Sequence, residues 1–452
     1  MSLMQRLEKA KAPQAGAESE ASAGLSNQKA VYFDEYADLK EKVHEEIIEK
    51  INEDAVRNVN ISANQEEYLL KNLEQILDEK AVNFTRTDKA RLIREVYNNV
   101  VGLGPLEPLL EDPEISEIMV NGPHQVYVER RGKIELAPTR FKDNLHVMNV
   151  INRIVSLVGR HIDEASPMVD ARLQDGSRFN AIIPPLALNG PTITIRKFFK
   201  NPLSVSSLVK FSSVSPKMMS FLEACVKGKM NIIVSGGTGS GKTTLLNILS
   251  GFIPDNERII TIEDAAELQL RQEHVVTLES RPPNIEGNGQ ITIRNLLVNS
   301  LRMRPDRIIV GEVRSSETLD MLQAMNTGHE GSMTTAHANS ARELMSRLET
   351  MILMSGVEIP MKAIREQISA GLNLIVHQSR LQDGSRKVVN ISEIVGMEGD
   401  TILLQDLFIF KENGLDLTGR LKGNFVATGI RPNFMNKITA RGILVRDEWF
   451  TN

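Results

Sequence analysis

The eight residues Gly236-Gly237-Thr238-Gly239-Ser240-Gly241-Lys242-Thr243 constrain this chain more than any other feature. They fit G-x-x-x-x-G-K-[ST], a loop whose glycines let backbone N–H groups converge on phosphate oxygens. The flanks agree with the pattern. An apolar run, Asn231 to Val234, leads in, and Thr244-Leu245-Leu246-Asn247-Ile248-Leu249 continues with helical spacing. A helix that starts on the loop adds the partial positive charge of its N-terminus. Lys242 is then placed to reach the β- and γ-phosphates, and Thr243 to ligate Mg2+. A glycine-rich turn with no ligand is the bland alternative, and the flanking strand and helix make it remote. Gly236 through Thr244 are therefore read as a nucleotide site.

A hydrolase also needs a carboxylate at a strand end beside the loop. Arg307-Ile308-Ile309-Val310 is one apolar run, ending in Gly311-Glu312-Val313-Arg314 with a glycine where an aspartate is usual. Ile259-Ile260-Thr261-Ile262 is another, ending in Glu263-Asp264, with Glu267 three residues on. Here the bland reading is a helix N-cap, Asp264 serving Glu267, and the functional one is a general base. His329 and His337 bracket a short run of small residues. Their separation across a strand is no metal-ligand spacing and no thiolate is near, so a metal reading fails. A γ-phosphate sensor at a strand end stands beside the default of a structural histidine. Arg172, Arg178 and Arg196 precede the loop in the chain. Arginine suits bidentate phosphate contact, although lone arginines are commonly solvated surface.

Length and charge bound the rest. A chain of 452 residues is two to three domains at roughly 150 residues each. Its 53 Lys+Arg against 58 Asp+Glu leave a net charge of −5, with no bulk attraction to nucleic acid or anionic lipid. The single cysteine, Cys225, excludes an internal disulfide and a four-thiolate zinc site, and points to a reducing cytoplasm. The first residues lead into charge rather than a signal core, and no apolar run approaches ~18–20 residues.

Residues 1–30, rich in Ala, Ser, Gly and Glu, read as a disordered tail. Residues 31–101 carry three amphipathic patterns, with Thr87 as N-cap of the third and Gly102 as its stop. This three-helix bundle is equally a partner-docking module or a structural appendage. From 102 to 200 the texture is α+β, with strand-like runs at 125–129, 134–136 and 192–196 and a helix over 145–158. Residues 201–215, with Pro202 and six serines, fit an interdomain linker. Strands and helices then alternate from 216 as a parallel α/β sheet does, before a meander over 388–410. The heptapeptide Arg-Leu-Gln-Asp-Gly-Ser-Arg stands at 172–178 and again at 380–386. With no similarity beyond it, two hairpins sharing Asp-Gly turn chemistry are preferred to a duplication.

Together these elements resemble the secretion ATPase superfamily of type II and type IV secretion and type IV pili. They are most similar to the CpaF-type ATPases of Tad/Flp pilus assembly, over residues 31–452. The stretches that carry the resemblance begin with Gly102 through Leu110, Ser116 through Gly122 and Asp170 through Pro185. The P-loop, Ile262-Glu263-Asp264, Gly311 through Arg314 and Thr334-Thr335-Ala336-His337-Ala338 complete them. The resemblance implies an α/β, RecA-like P-loop ATPase domain over 216–452. An α+β sensor-like (PAS-like) domain and the helical bundle would precede it. It further implies a homo-hexameric ring that hydrolyses ATP between the two domains and works on inner-membrane pilus platform proteins. The motor would sit at the inner face of the cytoplasmic membrane, held there through its partners.

Carried over by motif, Glu263 would polarise the attacking water. Glu312 would meet Mg2+ through water, because Gly311 cannot. His337 would be the histidine-box residue, and Arg172, Arg178 and Arg196 would contact phosphate. The sequence lacks the Ala-Ile-Arg-Asn-Leu-like helix of retraction motors and the tetra-cysteine module of type II secretion ATPases, which favours the Tad branch. A type IV secretion export motor is the nearest competing reading, followed by a RecA-like translocase on nucleic acid. The translocase wants basic loops with aromatics for stacking, against 14 Phe, 5 Tyr and 1 Trp on an acidic chain. A nucleotide-gated scaffold that hardly turns ATP over is a third, opposed by Glu263 and Glu312.

Overall fold

The computed structural model describes residues 36–56, 65–80, 84–130, 132–198, 203–283, 288–415, 419 and 421–451. The tail expected at 1–30 lies outside the described residues, as do 199–202. The chain divides into two compact units, Met1–Gly104 and Pro105–Asn452.

In the first unit three helices, Ala37–Val56, Gln65–Lys80 and Arg86–Val100, bury one stripe each. Val43, Ile47, Leu69, Leu73, Ile76, Leu77, Leu92 and Val96 make the cluster between them. Their three- and four-residue spacing is what lets each helix present a single apolar face. The third helix is capped by Thr85, not Thr87: Thr85 Oγ1 accepts the N–H of Asp88 at 3.2 Å. Thr87 falls inside the first turn.

The second unit begins with six antiparallel strands: β1 (Ile115–Asn121), β2 (Val126–Arg130), β3 (Lys133–Leu136), β4 (Met168–Arg172), β5 (Arg178–Ile182) and β6 (Thr192–Arg196). They lie in the order β3-β2-β1-β6-β5-β4. Helix Asn144–Leu157, capped by Asp143, buries Val147, Val150, Ile151, Ile154 and Val155. The stretch has the α+β texture expected of it, within the unit Pro105–Asn452.

Nine further strands form the second sheet. They are β7 (Ile232–Gly236), β8 (Ile259–Glu263), β9 (Val275–Glu279), β10 (Arg307–Val313), β11 (Met333–His337), β12 (Leu374–Arg380), β13 (Arg386–Glu398), β14 (Thr401–Leu415) and β15 (Leu421–Ala427). The order is β15-β14-β13-β12-β7-β11-β10-β8-β9. β12, β7, β11, β10, β8 and β9 run parallel, and β13 to β15 extend the sheet antiparallel as a meander. Helices cover both faces, giving two apolar cores, so the central strands read as continuous apolar runs. The P-loop strand β7 lies between β11 and β12, as in a RecA-like sheet. Among the described residues no helix is long and apolar enough to cross a membrane.

The serine-rich stretch is not a plain linker. Val205–Lys210 is a helix whose N-cap, Ser204, accepts the N–H of Ser207 and whose backbone N–H is taken by the Ser207 hydroxyl. Leu208 and Val214 are buried in the core of the nine-stranded domain. Serines that look flexible in sequence serve here as a capping box, and the two apolar residues anchor the segment.

Both heptapeptides fold as expected, into matching hairpins. Arg172 pairs with Arg178 across β4 and β5, and Arg380 with Arg386 across β12 and β13. In each, the aspartate accepts the serine N–H at 2.9 Å, and the glycine (φ 92° at 176, 81° at 384) takes the left-handed turn position.

Candidate nucleotide site

β7 is buried along its whole length and delivers the loop at the edge of the core. Gly241, at φ 96°, caps helix Lys242–Ser250 with no side chain of its own. The loop is packed so tightly that a Cβ on Gly236 would stand 2.1 Å from the Gln378 carbonyl oxygen and 2.6 Å from Ser240 Oγ. Only glycine fits there. Lys242 Nζ donates to the Gly237 carbonyl at 3.2 Å, curled over the loop. Burial holds its ammonium below the usual lysine range. Glu312 opposes that shift, while the charges of Arg314, Arg196 and Arg347 reinforce it.

Glu263 ends β8 and is 3% exposed. Its carboxylate accepts the N–H of Glu267 at 2.9 Å and of Leu268 at 3.1 Å. No helix starts at this point, so Asp264 is not an N-cap for Glu267. Asp264 instead accepts the Ser280 hydroxyl at 3.0 Å. Burial pushes the Glu263 carboxyl up to about 7, against the two backbone N–H groups that favour its charge.

Two strands from β7, β10 carries Gly311 and Glu312. A Cβ on Gly311 would lie 2.8 Å from Glu263 Cγ, so an aspartate at 311 has no room. Glu312 is held by Arg314, whose Nη2 donates to Oε2 at 2.7 Å; Arg314 Nη1 is 3.7 Å from Asp264 Oδ2. His337 closes β11 in register with Gly236, one strand from the loop. The strand stays seated on β10 through Thr335, whose hydroxyl donates to the Gly311 carbonyl at 2.8 Å.

The arginines of the α+β domain divide. Arg172 donates to Glu279 at 2.7 Å and to the Ala266 carbonyl. Arg178 meets Glu267 and the Ala265 carbonyl, each at 3.2 Å, and its Nε is buried with no partner. Both therefore grip the segment that follows Glu263. Arg196 faces Glu117 at 3.8 Å, and its charge also reaches Lys242.

Sequence reasoning missed Gln378, Arg380 and Arg386. They surround the loop from β12 and β13, with Arg386 Nε on the Gly239 carbonyl at 2.8 Å. The one signal in the sequence for the two arginines was the repeated heptapeptide; Gln378 lies outside it and had none.

The residues present fit a magnesium nucleotide. The glycine cradle is one a Cβ would fill. Ser240 Oγ is buried in it without a partner. Thr243 at the helix start and Glu312 at the end of β10 offer the hard oxygen donors that Mg2+ takes.

A family model described as type II/IV secretion system protein matches residues 99–411. A putative conjugal transfer protein of Mycobacterium tuberculosis is 35% identical over 313 residues, 68% of this chain and 88% of the other. The type IV secretion system protein VirB11 of Brucella abortus is 34% identical over 340 residues, 69% of this chain and 93% of its own. Among solved structures, the VirB11 ATPase of the Brucella suis type IV secretion system, in complex with sulphate, aligns at 29% identity. That alignment covers 64% of this chain and 95% of that one, with a TM-score of 0.36. The pilus retraction motor PilT with bound ADP aligns at 18% identity over 75% and 86% of the two chains, with a TM-score of 0.46.

Proposed function

The chain belongs to the type II/IV secretion system protein family, and from that premise we propose that it is an ATP-hydrolysing motor of the Tad/Flp pilus branch. In this reading the loop amides and Lys242 bind the β- and γ-phosphates. Thr243 and Glu312 would hold Mg2+, which when bound neutralises charge on the phosphate oxygens. Glu263 takes the proton of the attacking water. The observation that carries the proposal is its carboxylate at the end of β8, buried against Gly311, where burial raises it to about 7. A base poised near neutral pH has both the right protonation state and the driving force to accept a proton. His337, in register with Gly236, is the sensor of the terminal phosphate.

Arg172 and Arg178 tie the α+β domain to the segment behind Glu263, so motion of that domain and placement of the base are linked. We read this as the stroke of a homo-hexameric ring that turns inner-membrane platform proteins at the cytoplasmic face of the membrane. Domain limits of 102–200 and 216–452, joined through 201–215, belong to the same proposal.

The likeness to VirB11 favours a second reading, an export motor. The test compares cells carrying wild type and Lys242→Ala for surface pili and for protein or DNA export. Loss of pili with export intact upholds the first reading. Loss of export with pili intact transfers the function to the second. ATP turnover stimulated by single-stranded DNA, and not by platform protein, would mark a translocase instead.

A further inference from the structure

The proposed mechanism uses only the first copy of the heptapeptide. The second, 380–386, closes the β12–β13 hairpin, and the sheet fixes which side of the loop it occupies. β11, β10 and β8, bearing His337, Glu312 and Glu263, lie on one side of β7; β12 lies on the other. The carboxylates mark the end where the terminal phosphate must sit. The β12–β13 hairpin therefore borders the opposite end of a phosphate chain cradled by the loop.

Three side chains line that border. Arg386 Nε donates to the Gly239 carbonyl at 2.8 Å, which fixes the crown of the loop. Arg380 Nη2 donates to the Gly132 carbonyl at 2.8 Å, and its Nη1 is 3.8 Å from where a Cβ on Gly239 would be. Gln378 is 3% exposed, with Nε2 3.3 Å from the equivalent point on Gly241. Its Oε1, an acceptor, is buried without a partner, and so is Ser240 Oγ, 2.6 Å from where a Cβ on Gly236 would be. Buried polar atoms left unsatisfied are rare and call for a missing ligand or water. A serine hydroxyl free to donate under the loop, with the Gln378 amide N–H and two guanidinium groups beside it, suits a phosphate ester, whose oxygens accept.

We propose that Gln378, Arg380 and Arg386 form the nucleoside-side wall of the site and bind the α-phosphate of a nucleoside di- or triphosphate. This rests on the nucleotide-site reading above. Arg386 does two things: it positions Gly239 through Nε and turns the rest of its fork to the ester phosphate. Arginine suits that task because its donors are planar and pre-organised. The α-phosphate is common to ATP and ADP and is not the group transferred. Contacts to it strengthen ground state and transition state alike, so they act on affinity and not on the chemical step.

The experiment is calorimetric titration of the full-length chain with ATP and with ADP, both with Mg2+, alongside steady-state turnover. Arg386→Gln and Arg380→Gln should each weaken both nucleotides by about tenfold, the size of one lost charge-assisted hydrogen bond. KM should rise in step while kcat at saturation stays near wild type. Arg386→Lys should recover part of the loss. A thermal melt checks folding, and Arg380→Gln, an exposed site, carries the test if Arg386→Gln does not fold. Unchanged ADP affinity in the folded variants overturns the proposal. So does a fall in kcat with ADP affinity intact, which would put the pair at the transferred phosphate. A wild-type chain that binds neither nucleotide defeats the site reading together with this wall. Wild-type binding that both variants match defeats the wall alone.

Discussion

Gly311 and Glu263 share one space: a Cβ on Gly311 would stand 2.8 Å from Glu263 Cγ and 3.4 Å from Oε2. They stand on neighbouring parallel strands, β10 and β8, whose preceding residues Val310 and Ile262 are in register. The aspartate absent from β10 is thus accounted for by packing. Where Glu263 turns into the site, its neighbour can carry no side chain.

Gly311→Asp should therefore cripple turnover by forcing Glu263 off the N–H groups of Glu267 and Leu268. Gly311→Ala should cost about 1–3 kcal/mol, the usual range for overpacking a well-filled site. Melting curves and kcat on both variants check this. An Asp variant as active as wild type would show that Glu263 has room to move.

Glu263→Gln should separate stability from catalysis. The folded carboxyl sits at about 7 against an ordinary 4.5, so the folded state binds the proton more tightly. The resulting cost is absent below the lower value, grows between the two, and is complete above the upper one. Its full size is about 3 kcal/mol. Glutamine keeps the acceptor oxygen and removes the charge. The variant should be more stable than wild type at pH 8, close to it at pH 4, and slower in turnover by about 10²–10⁴. Melts across that pH range and single-turnover rates decide it. A wild-type melt that does not weaken on raising the pH would contradict the burial argument.

How much of this was legible in sequence depends on how local the cause is. The loop, its strand and its helix could be read because glycine and lysine identities fix the backbone there. Both Asp-Gly hairpins could be read for the same reason. The helix over Val205–Lys210 could not, since serines bonding to one another's backbone look like serines in a linker until Leu208 is seen to be buried. Asp264 could not be assigned either, because nothing local says that the chain after it runs as coil. Arg386 lies 147 residues from Gly239, whose carbonyl it holds. Only the sheet order, β12 beside β7, brings them together.

Arg307 makes the same point and gives a stability prediction. It opens a strand that reads as apolar, yet it is fully buried. Its guanidinium donates to Glu257 at 2.6 Å, the Gly331 carbonyl at 3.0 Å and the Val226 carbonyl at 2.9 Å. Arg307→Met would take the guanidinium from all three at once, leaving Glu257 its contact with Lys229 at 3.4 Å. Breaking a buried pair from one side typically costs about 3–5 kcal/mol. A thermal melt should register that loss, and a variant within 1 kcal/mol of wild type, on the order of a tolerated core swap, would show that water replaces the guanidinium.

Lys242→Ala should remove turnover by about 100-fold or more, the scale of losing one preorganised charge at a reacting phosphate. Its ammonium is already desolvated and balanced against Glu312. Removal therefore leaves Glu312 without that counter-charge and still paired with Arg314. Affinity for ATP, measured by titration, should fall as well. Near-normal hydrolysis in a folded variant would defeat the reading of the whole site.

The last prediction concerns Arg172 and Arg178. Both reach the segment behind Glu263 from the six-stranded sheet, Arg172 through Glu279 and Ala266, Arg178 through Glu267 and Ala265. Surface ion pairs of this exposure contribute little to stability, commonly about 0–1 kcal/mol. Arg172→Ala and Arg178→Ala should thus melt close to wild type. Arg178 nevertheless keeps a buried Nε with no partner, which leaves it poised to exchange a protein contact for a phosphate one. An arginine that closes on transition-state charge can supply about 10³–10⁵ in rate. Two arginines sharing that task would each show less, and their double variant should lose more than either single one. Turnover should fall in both while ATP affinity changes little, the opposite of the split expected for Arg386. Measured side by side, kcat and ADP affinity for Arg178→Ala and Arg386→Gln assign the two hairpins to opposite ends of the nucleotide. If both variants lose the same parameter, the two heptapeptides share one role and the division between them is wrong.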